Sequence, residues 1–348
     1  MNILITGGTG FISTRLTQQL LDAGHHVTVF TRGISTSLLT RTAQLQHIRG
    51  DRRNEADLAA LPCRTWDVVY DMVAYEPEES QLAVKVFRGK VGRFIHCSTI
   101  SVYMVSNELQ CPITEDQDQA PVMEFWPRNP FGMDYGIKKR QCEEILWKAH
   151  DEKRFPVTVL RPTFVSGPND PAKRDFFWIE RILDGKPLLI PGSGDFAFQQ
   201  VYVEDVARAF ANLLDFPQSR GRAFNVAAEE VFSLNEYLHA LGRLLACKPE
   251  LVHVDQNVFD RHSLSRHPAG DVFPFNTRRT AIFSVERIRA ETNYRTTPFK
   301  EWMPVTISWF TKNFRGHSIG YERREEEVAA AQCGGLGETS LSRAGRAA

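Results

Sequence analysis

Ile3-Leu4-Ile5-Thr6 runs straight into Gly7-Gly8-Thr9-Gly10, and from Phe11 onward apolar residues fall at helical spacing. Phe11, Leu16, Leu20 and Leu21 share one face, and Gly24 stands where a helix would stop. A strand that enters a helix through glycines is the first half of a βαβ unit, because parallel strands need a crossover that a hairpin cannot supply. This one turn therefore commits the surrounding chain to a parallel sheet with helices over its faces.

The alternation continues with short apolar runs at Val27 to Thr31, around Ile48, at Val68 to Tyr70, Phe94 to Cys97 and Val157 to Leu160. The pattern predicts an α/β fold: a Rossmann-type, doubly wound parallel sheet over residues 1–162, followed by a smaller C-terminal substrate-binding region over 163–315. The two are expected to interleave, the sheet taking back some later segments. Past Pro162 the pattern loosens around Ser166-Gly167-Pro168 and Ile190 to Gly194, with helices near Asp205 to Leu214 and Ser233 to Leu245. From Gly316 the charged run Arg323 to Glu327 gives way to Ala, Gly and Ser, so 316–348 is expected to be a peripheral or disordered tail. No solenoid or propeller period is visible.

With 348 residues, 42% of them hydrophobic, a core divided between two domains is affordable. The 42 Lys and Arg balance the 42 Asp and Glu, so no net field draws the chain onto nucleic acid or an anionic membrane. Cys63, Cys97, Cys111, Cys142, Cys247 and Cys333 have neither C-x-x-C spacing nor the density of a disulfide framework. With no signal-peptide pattern and no apolar run near the ~20 residues of a membrane span, a cytoplasmic location is expected.

Gly8-Thr9-Gly10-Phe11-Ile12-Ser13 fits G-x-G-x-x-G/A except that Ser13 stands at the last position. Between a strand and a helix, the turn Gly7-Gly8-Thr9-Gly10 and the first helical residues Phe11 and Ile12 suit a dinucleotide pyrophosphate at the helix N-terminus. The acidic residue expected some 20 positions on is absent, and Thr31-Arg32-Gly33 ends the second strand instead. An arginine there can pair with a 2′-phosphate or stack on adenine, while Thr31 brings no repelling carboxylate, so NADP is favoured over NAD. Asp51, in Arg49-Gly50-Asp51-Arg52, either accepts a hydrogen bond from adenine or is an exposed turn residue; Arg52 beside it is counted with the cofactor contacts.

Tyr135 and Lys139 stand four apart and share a helix face. A tyrosine is a poor acid-base near neutrality unless a nearby cation stabilises its phenolate, which a lysine one turn away would do. Lys139 can also hold the ribose hydroxyls. The hydroxyl that orients the reacting oxygen should come from the end of a neighbouring strand, where Phe94 to Cys97 leads into Ser98-Thr99-Ile100-Ser101; Thr99 is the candidate, with Ser98 and Ser101 as alternatives. Phe177, Trp178, Phe196 and Phe198 either line a pocket or belong to the core.

With these residues the chain resembles the extended short-chain dehydrogenase/reductases of the NAD-dependent epimerase/dehydratase family over roughly residues 1 to 312. Further stretches that carry the likeness are Leu160-Arg161-Pro162, Ser166-Gly167-Pro168, Val201 to Val206 and Phe224-Asn225-Val226. The resemblance implies a triad of Thr99, Tyr135 and Lys139, a nicotinamide flanked by the Asp71 to Tyr75 loop, Val73 within it, and by the turn at Pro162, and a homodimer. Three departures narrow it. Thr31-Arg32 is closer to the NADP-using reductases than to the epimerases; Ile100-Ser101 replaces the Asp-Glu that follows the threonine in 4,6-dehydratases; and Phe196 to Gln200 lacks the arginine that nucleotide-sugar enzymes place on a diphosphate.

The expected function is NAD(P)-dependent hydride transfer to or from a carbinol or ketone carbon of a small sugar-like or secondary-metabolite substrate, nucleotide sugars included, by an epimerase or reductase and not a dehydratase. The alternative is a non-catalytic RNA-binding protein on the same fold: Phe30 to Gly33, Asp67 to Asp71 and Phe273-Pro274-Phe275 resemble the chloroplast stem-loop-binding branch. That branch is expected to lack an intact Tyr/Lys pair, which this chain has.

Overall fold

The computed structural model describes residues 1–34, 39–40, 42–62, 65–152, 155–255, 264 and 273–334. Strand β1 (Asn2–Thr6) leads through the glycine turn into α1 (Phe11–Asp22), and then come β2 (His26–Thr31), β3 (Leu45–Arg49), α2 (Glu55–Ala59), β4 (Val68–Asp71), α3 (Pro77–Phe87) and β5 (Phe94–Cys97). Helix α4 (Met133–Asp151) returns the chain to β6 (Val157–Pro162). The short β7 (Phe164–Ser166), α5 (Arg174–Leu183), β8 (Leu188–Pro191), β9 (Ala197–Phe198), β10 (Gln200–Tyr202) and α6 (Val203–Asn212) follow before β11 (Arg222–Val226).

Seven of these strands form one sheet in the order β11-β6-β5-β4-β1-β2-β3, every neighbour parallel. This is the expected Rossmann-type sheet, and its outermost strand, β11, lies beyond Pro162 in sequence. Strand order reverses between β1 and β4, and the crevice at their carboxyl ends is where such sheets take ligands. Both faces are covered, so successive residues of one strand feed opposite cores. Ile3 and Ile5 pack with Leu16 and Leu20 of α1 and Val206 and Phe210 of α6, whereas Leu4 packs with Ala83 and Phe87 of α3 and Leu146 of α4.

The second region has its own aromatic core. It is built from α5, β8, α7 (Leu234–Leu244), β13 (Leu251–Val254), which pairs parallel with β8, and α9 (Phe299–Asn313); β12 (Phe232–Ser233) and α8 (Glu286–Glu291) lie between them in the chain. Phe177, Trp178 and Phe198 are buried in that core, and Phe196 alone of the four aromatics considered is exposed.

The expectation of a peripheral tail fails for residues 316–334. Helix α10 (Arg324–Gly334) buries Ala330 and Ala331 in the aromatic core, and Glu327, 2% exposed, takes the Arg181 guanidinium of α5 in a two-point pair at 2.6 and 2.9 Å. Arg324 pairs with Asp184 at 2.7 Å. The charged run thus finds partners on α5 and the turn after it, which composition cannot display. The end of the chain, 335–348, lies outside the described residues.

Asp175 of α5 is buried, accepting hydrogen bonds from Tyr237 at 2.7 Å and Gln200 at 2.9 Å. Burial, with Asp170 adding to it, pushes its carboxyl up to about 6. The folded state then holds the Asp175 proton more tightly than the unfolded chain does, so this group's contribution to stability is fully present below the ordinary carboxylate range and is lost as pH rises toward about 6. Asp71 and Glu143, both held low, slope the other way. The measurement is therefore the difference in thermal midpoint between wild type and Asp175→Asn across that window. The variant should gain on wild type as pH rises; a constant difference would count against the buried carboxylate.

Candidate active site

Gly7 has φ +81°, and its N–H donates to Phe30 O at 3.0 Å, so the turn is pinned to the end of β2. A Cβ at Gly7 would run into Val73, and one at Gly8 into Val29. Gly10 differs: within 4 Å a Cβ there would meet only Ser13 Oγ and Gly7 O, atoms of the turn and the helix start. Among the described residues no neighbouring element fills the space beside Gly10 at the α1 N-terminus, where the first-turn N–H groups have no intrahelical acceptor. Bare backbone at a positive helix end is what a pyrophosphate requires, so the residues present fit a dinucleotide. Ser13 does more than replace a glycine. Its Oγ donates to Gly7 O and accepts from Gly10 N at 2.9 Å, tying the turn to the helix.

Thr31 ends β2 with its hydroxyl accepting from Gly33 N at 3.3 Å, and Arg32 is exposed beside it. Asp51 follows β3 and pairs with Arg53 at 2.9 Å; the Arg53 hydrogen bonds, aided by the charges of Arg53 and Arg32, hold its carboxyl down to about 2. Arg52 overturns its expected role. It is buried, its guanidinium pairs with Asp71 and donates to Glu79 O at 3.1 Å, and it faces the protein rather than the turn.

Tyr135 opens the first turn of α4 and is 37% exposed. Burial of its hydroxyl pushes the phenol up, Cys97 and Tyr75 adding to the effect, while the Thr99 hydroxyl and the charge of Arg174 pull it down. Of the three candidate hydroxyls, Ser98 is committed to Glu143 and Ser101 to Phe131 O at 2.9 Å, while Thr99 meets Ser101 N and Oγ, at 3.2 and 3.3 Å, and is the one that acts on the Tyr135 phenol. Val73 packs beside Gly7, and Pro162 is buried at the end of β6, opposite Val226.

Lys139 goes inward. Its ammonium donates to Ala74 O at 2.7 Å and Cys97 O at 2.8 Å and meets His96 Nε2 at 3.1 Å; none of these three partners is Tyr135. The helical spacing puts both residues on one face, but the side chain of Lys139 follows its acceptors at the ends of β4 and β5.

Sequence reasoning passed over the polar group under that lysine. Thr6, Asp71 and His96 stand opposite one another in register on β1, β4 and β5. The available signal was one polar side chain at the same level of three apolar strands. It also passed over Arg161, fully buried, whose guanidinium holds Glu143 of α4 and reaches Asp118 at 2.6 Å. A cavity of about 230 Å³ is lined by Phe164, Arg174, Phe273, Phe275 and Ile319, among others; none of Phe177, Trp178, Phe196 and Phe198 lines it.

The model of the NAD dependent epimerase/dehydratase family matches residues 3–227. The chain belongs to this family. Among curated relatives it is 28% identical, over 74% of its length and 67% of the relative's, to the chloroplast stem-loop binding protein of 41 kDa b of Arabidopsis thaliana. It is 24% identical, over 70% of its length and 67% of the relative's, to 2'-dehydrokanamycin reductase of Streptomyces kanamyceticus. Its fold matches that of UDP-glucuronic acid 4-epimerase from Bacillus cereus, solved in complex with NAD, with a TM-score of 0.69 at 21% identity over 90% of this chain and 100% of the other. Among the described residues no helix is long and apolar enough to cross a membrane.

Proposed function

We propose that this protein is an NAD(P)-dependent oxidoreductase or epimerase acting at a carbinol or ketone carbon of a sugar-like or secondary-metabolite substrate, with Tyr135 as the acid-base. The observation that carries the reading is the meeting of β5 and α4 at the carboxyl edge of the sheet: Lys139, four residues after Tyr135, donates to Cys97 O, two residues before Thr99, whose hydroxyl helps to lower the Tyr135 phenol. A bound nicotinamide would supply the hydride donor or acceptor. Thr99 orients the substrate oxygen, Tyr135 gives or takes its proton, and Lys139 fixes a positive charge beneath both. Gly7 to Gly10, Phe11 and Ile12 would hold the pyrophosphate, Val73 and Pro162 would flank the nicotinamide, and Asp51 would serve the adenine end. Ile100-Ser101 after Thr99 offers no second acid-base pair, which weighs against water elimination.

The experiment is to denature the purified protein and weigh whatever nucleotide it releases. Retained NAD supports an epimerase, which keeps its cofactor through oxidation and re-reduction. Empty protein that binds NADPH supports a reductase. Exposed Arg32 and the absence of a carboxylate at Thr31 favour NADP. Arg32→Ala should therefore weaken NADPH binding by about tenfold to a hundredfold, with little change for NADH. Equal losses by titration with both would remove the 2′-phosphate role.

The similarity to the chloroplast stem-loop binding protein supports a second reading, RNA binding on the same fold. Tyr135 and Lys139 and the balanced charge weigh against it. Salt-dependent RNA retention unaffected by Tyr135→Phe would favour it.

A further inference from the structure

Lys139 rests on a chain of buried polar side chains that the reaction as described does not use. Asp71 Oδ1 accepts from Thr6 Oγ1 at 2.8 Å and pairs with Arg52; His96 Nδ1 lies 3.3 Å from Asp71 Oδ2; and His96 Nε2 lies 3.1 Å from Lys139 Nζ. An ammonium has hydrogens and no lone pair, so Nε2 must be the acceptor, and the ring proton sits on Nδ1, aimed at Asp71. His96 is 0% exposed and Asp71 1%, so bulk solvent reaches neither. The other two acceptors of Lys139 are backbone carbonyls fixed by β4 and β5, so His96 is the one side chain among its three hydrogen-bond partners.

We propose that His96, locked in one tautomer by Asp71, is a positioning residue that holds the Lys139 ammonium in place and keeps it charged beneath Tyr135. This rests on the function proposed above. The groups facing Lys139 are His96 and Cys97 from β5, Asp71 from β4, and Cys142 and Glu143 from its own helix. Burial drives Lys139 toward the neutral amine, and the carboxylates of Asp71 and Glu143 oppose it. Burial and the neighbouring ammonium hold His96 down to about 4, against the pull of Asp71, so above that range the ring stays a neutral acceptor. Without the ring, a buried cation loses one of three hydrogen bonds and gives up its proton more readily.

Two measurements on the full-length protein test this. Nitrogen-15 NMR of the cofactor-free wild type should find His96 as the Nδ1–H tautomer, unprotonated above about pH 4. Lysine side-chain NMR should find Lys139 titrating about one to two pH units lower in His96→Leu than in wild type. His96→Gln, whose amide oxygen can stand near Nε2, should restore most of the difference. If turnover can be followed, the alkaline limb of its pH profile should shift with Lys139. An Nε2–H tautomer, or identical Lys139 titration in wild type and His96→Leu, overturns the proposal, and the tautomer remains readable in the wild type if His96→Leu does not fold. Full activity of Tyr135→Phe would instead overturn the proposed function and leave the NMR outcome untouched.

Discussion

Tyr135→Phe is expected to cut turnover by about a hundredfold to ten-thousandfold, the range for losing a positioned acid-base, while fold and dinucleotide binding survive. The change removes one hydroxyl from a side chain already 37% exposed, so little packing is lost with it. Thr99 keeps its contacts with Ser101 N and Oγ, at 3.2 and 3.3 Å. The phenol sits high because its surroundings disfavour the phenolate, so Tyr135 rests protonated, as the proposed proton donor requires. Lys139→Met should abolish turnover as well, but by a different route: it removes the cation and leaves two carbonyls and His96 Nε2 without their donor. Its unfolding free energy should fall too, and circular dichroism with thermal melts separates that from the catalytic loss. Undiminished activity in both variants would sink the assignment.

Glu327→Ala is expected to cost about 3–5 kcal/mol of stability, because it strands the buried Arg181 guanidinium. Arg181 is 1% exposed, its ring-facing side lies over Phe177 with 3.5 Å to the centroid, and its remaining polar contacts are Phe177 O and Ser318. None of these neutralises the charge. Replacing both partners, Arg181→Met with Glu327→Leu, should recover most of the loss, since paired apolar groups of similar volume carry no desolvation penalty. Denaturant titration of the three proteins decides it. A loss below about 1 kcal/mol, as for an exposed ion pair, would make α10 a surface appendage.

Both predictions bear on what could be read before folding. The parallel sheet was legible because each strand is an apolar run buried on two faces and each turn is a local event: Ile3 to Thr6, the glycines and Leu16 to Leu21 lie within one βα unit. Tyr135 and Lys139 were legible as a pair because helical spacing is fixed at 3.6 residues. Thr99 was separable from Ser98 and Ser101 only in three dimensions, since Glu143 and Phe131, which take the other two hydroxyls, are 45 and 30 residues away.

The sequence by itself determined the glycine turn, the order of strands and helices that makes a Rossmann-type sheet, and the residue types that chemistry at a carbinol carbon would need. Tertiary structure alone decided where the charges point. Arg52 turned from the cofactor to Asp71, 19 residues on; Lys139 turned to His96, 43 residues back; and the charged tail found Arg181 at a separation of 146. The reason is physical: backbone conformation follows from near neighbours, whereas a buried charge is settled by whichever opposite charge or acceptor the fold brings within reach in a low-dielectric interior.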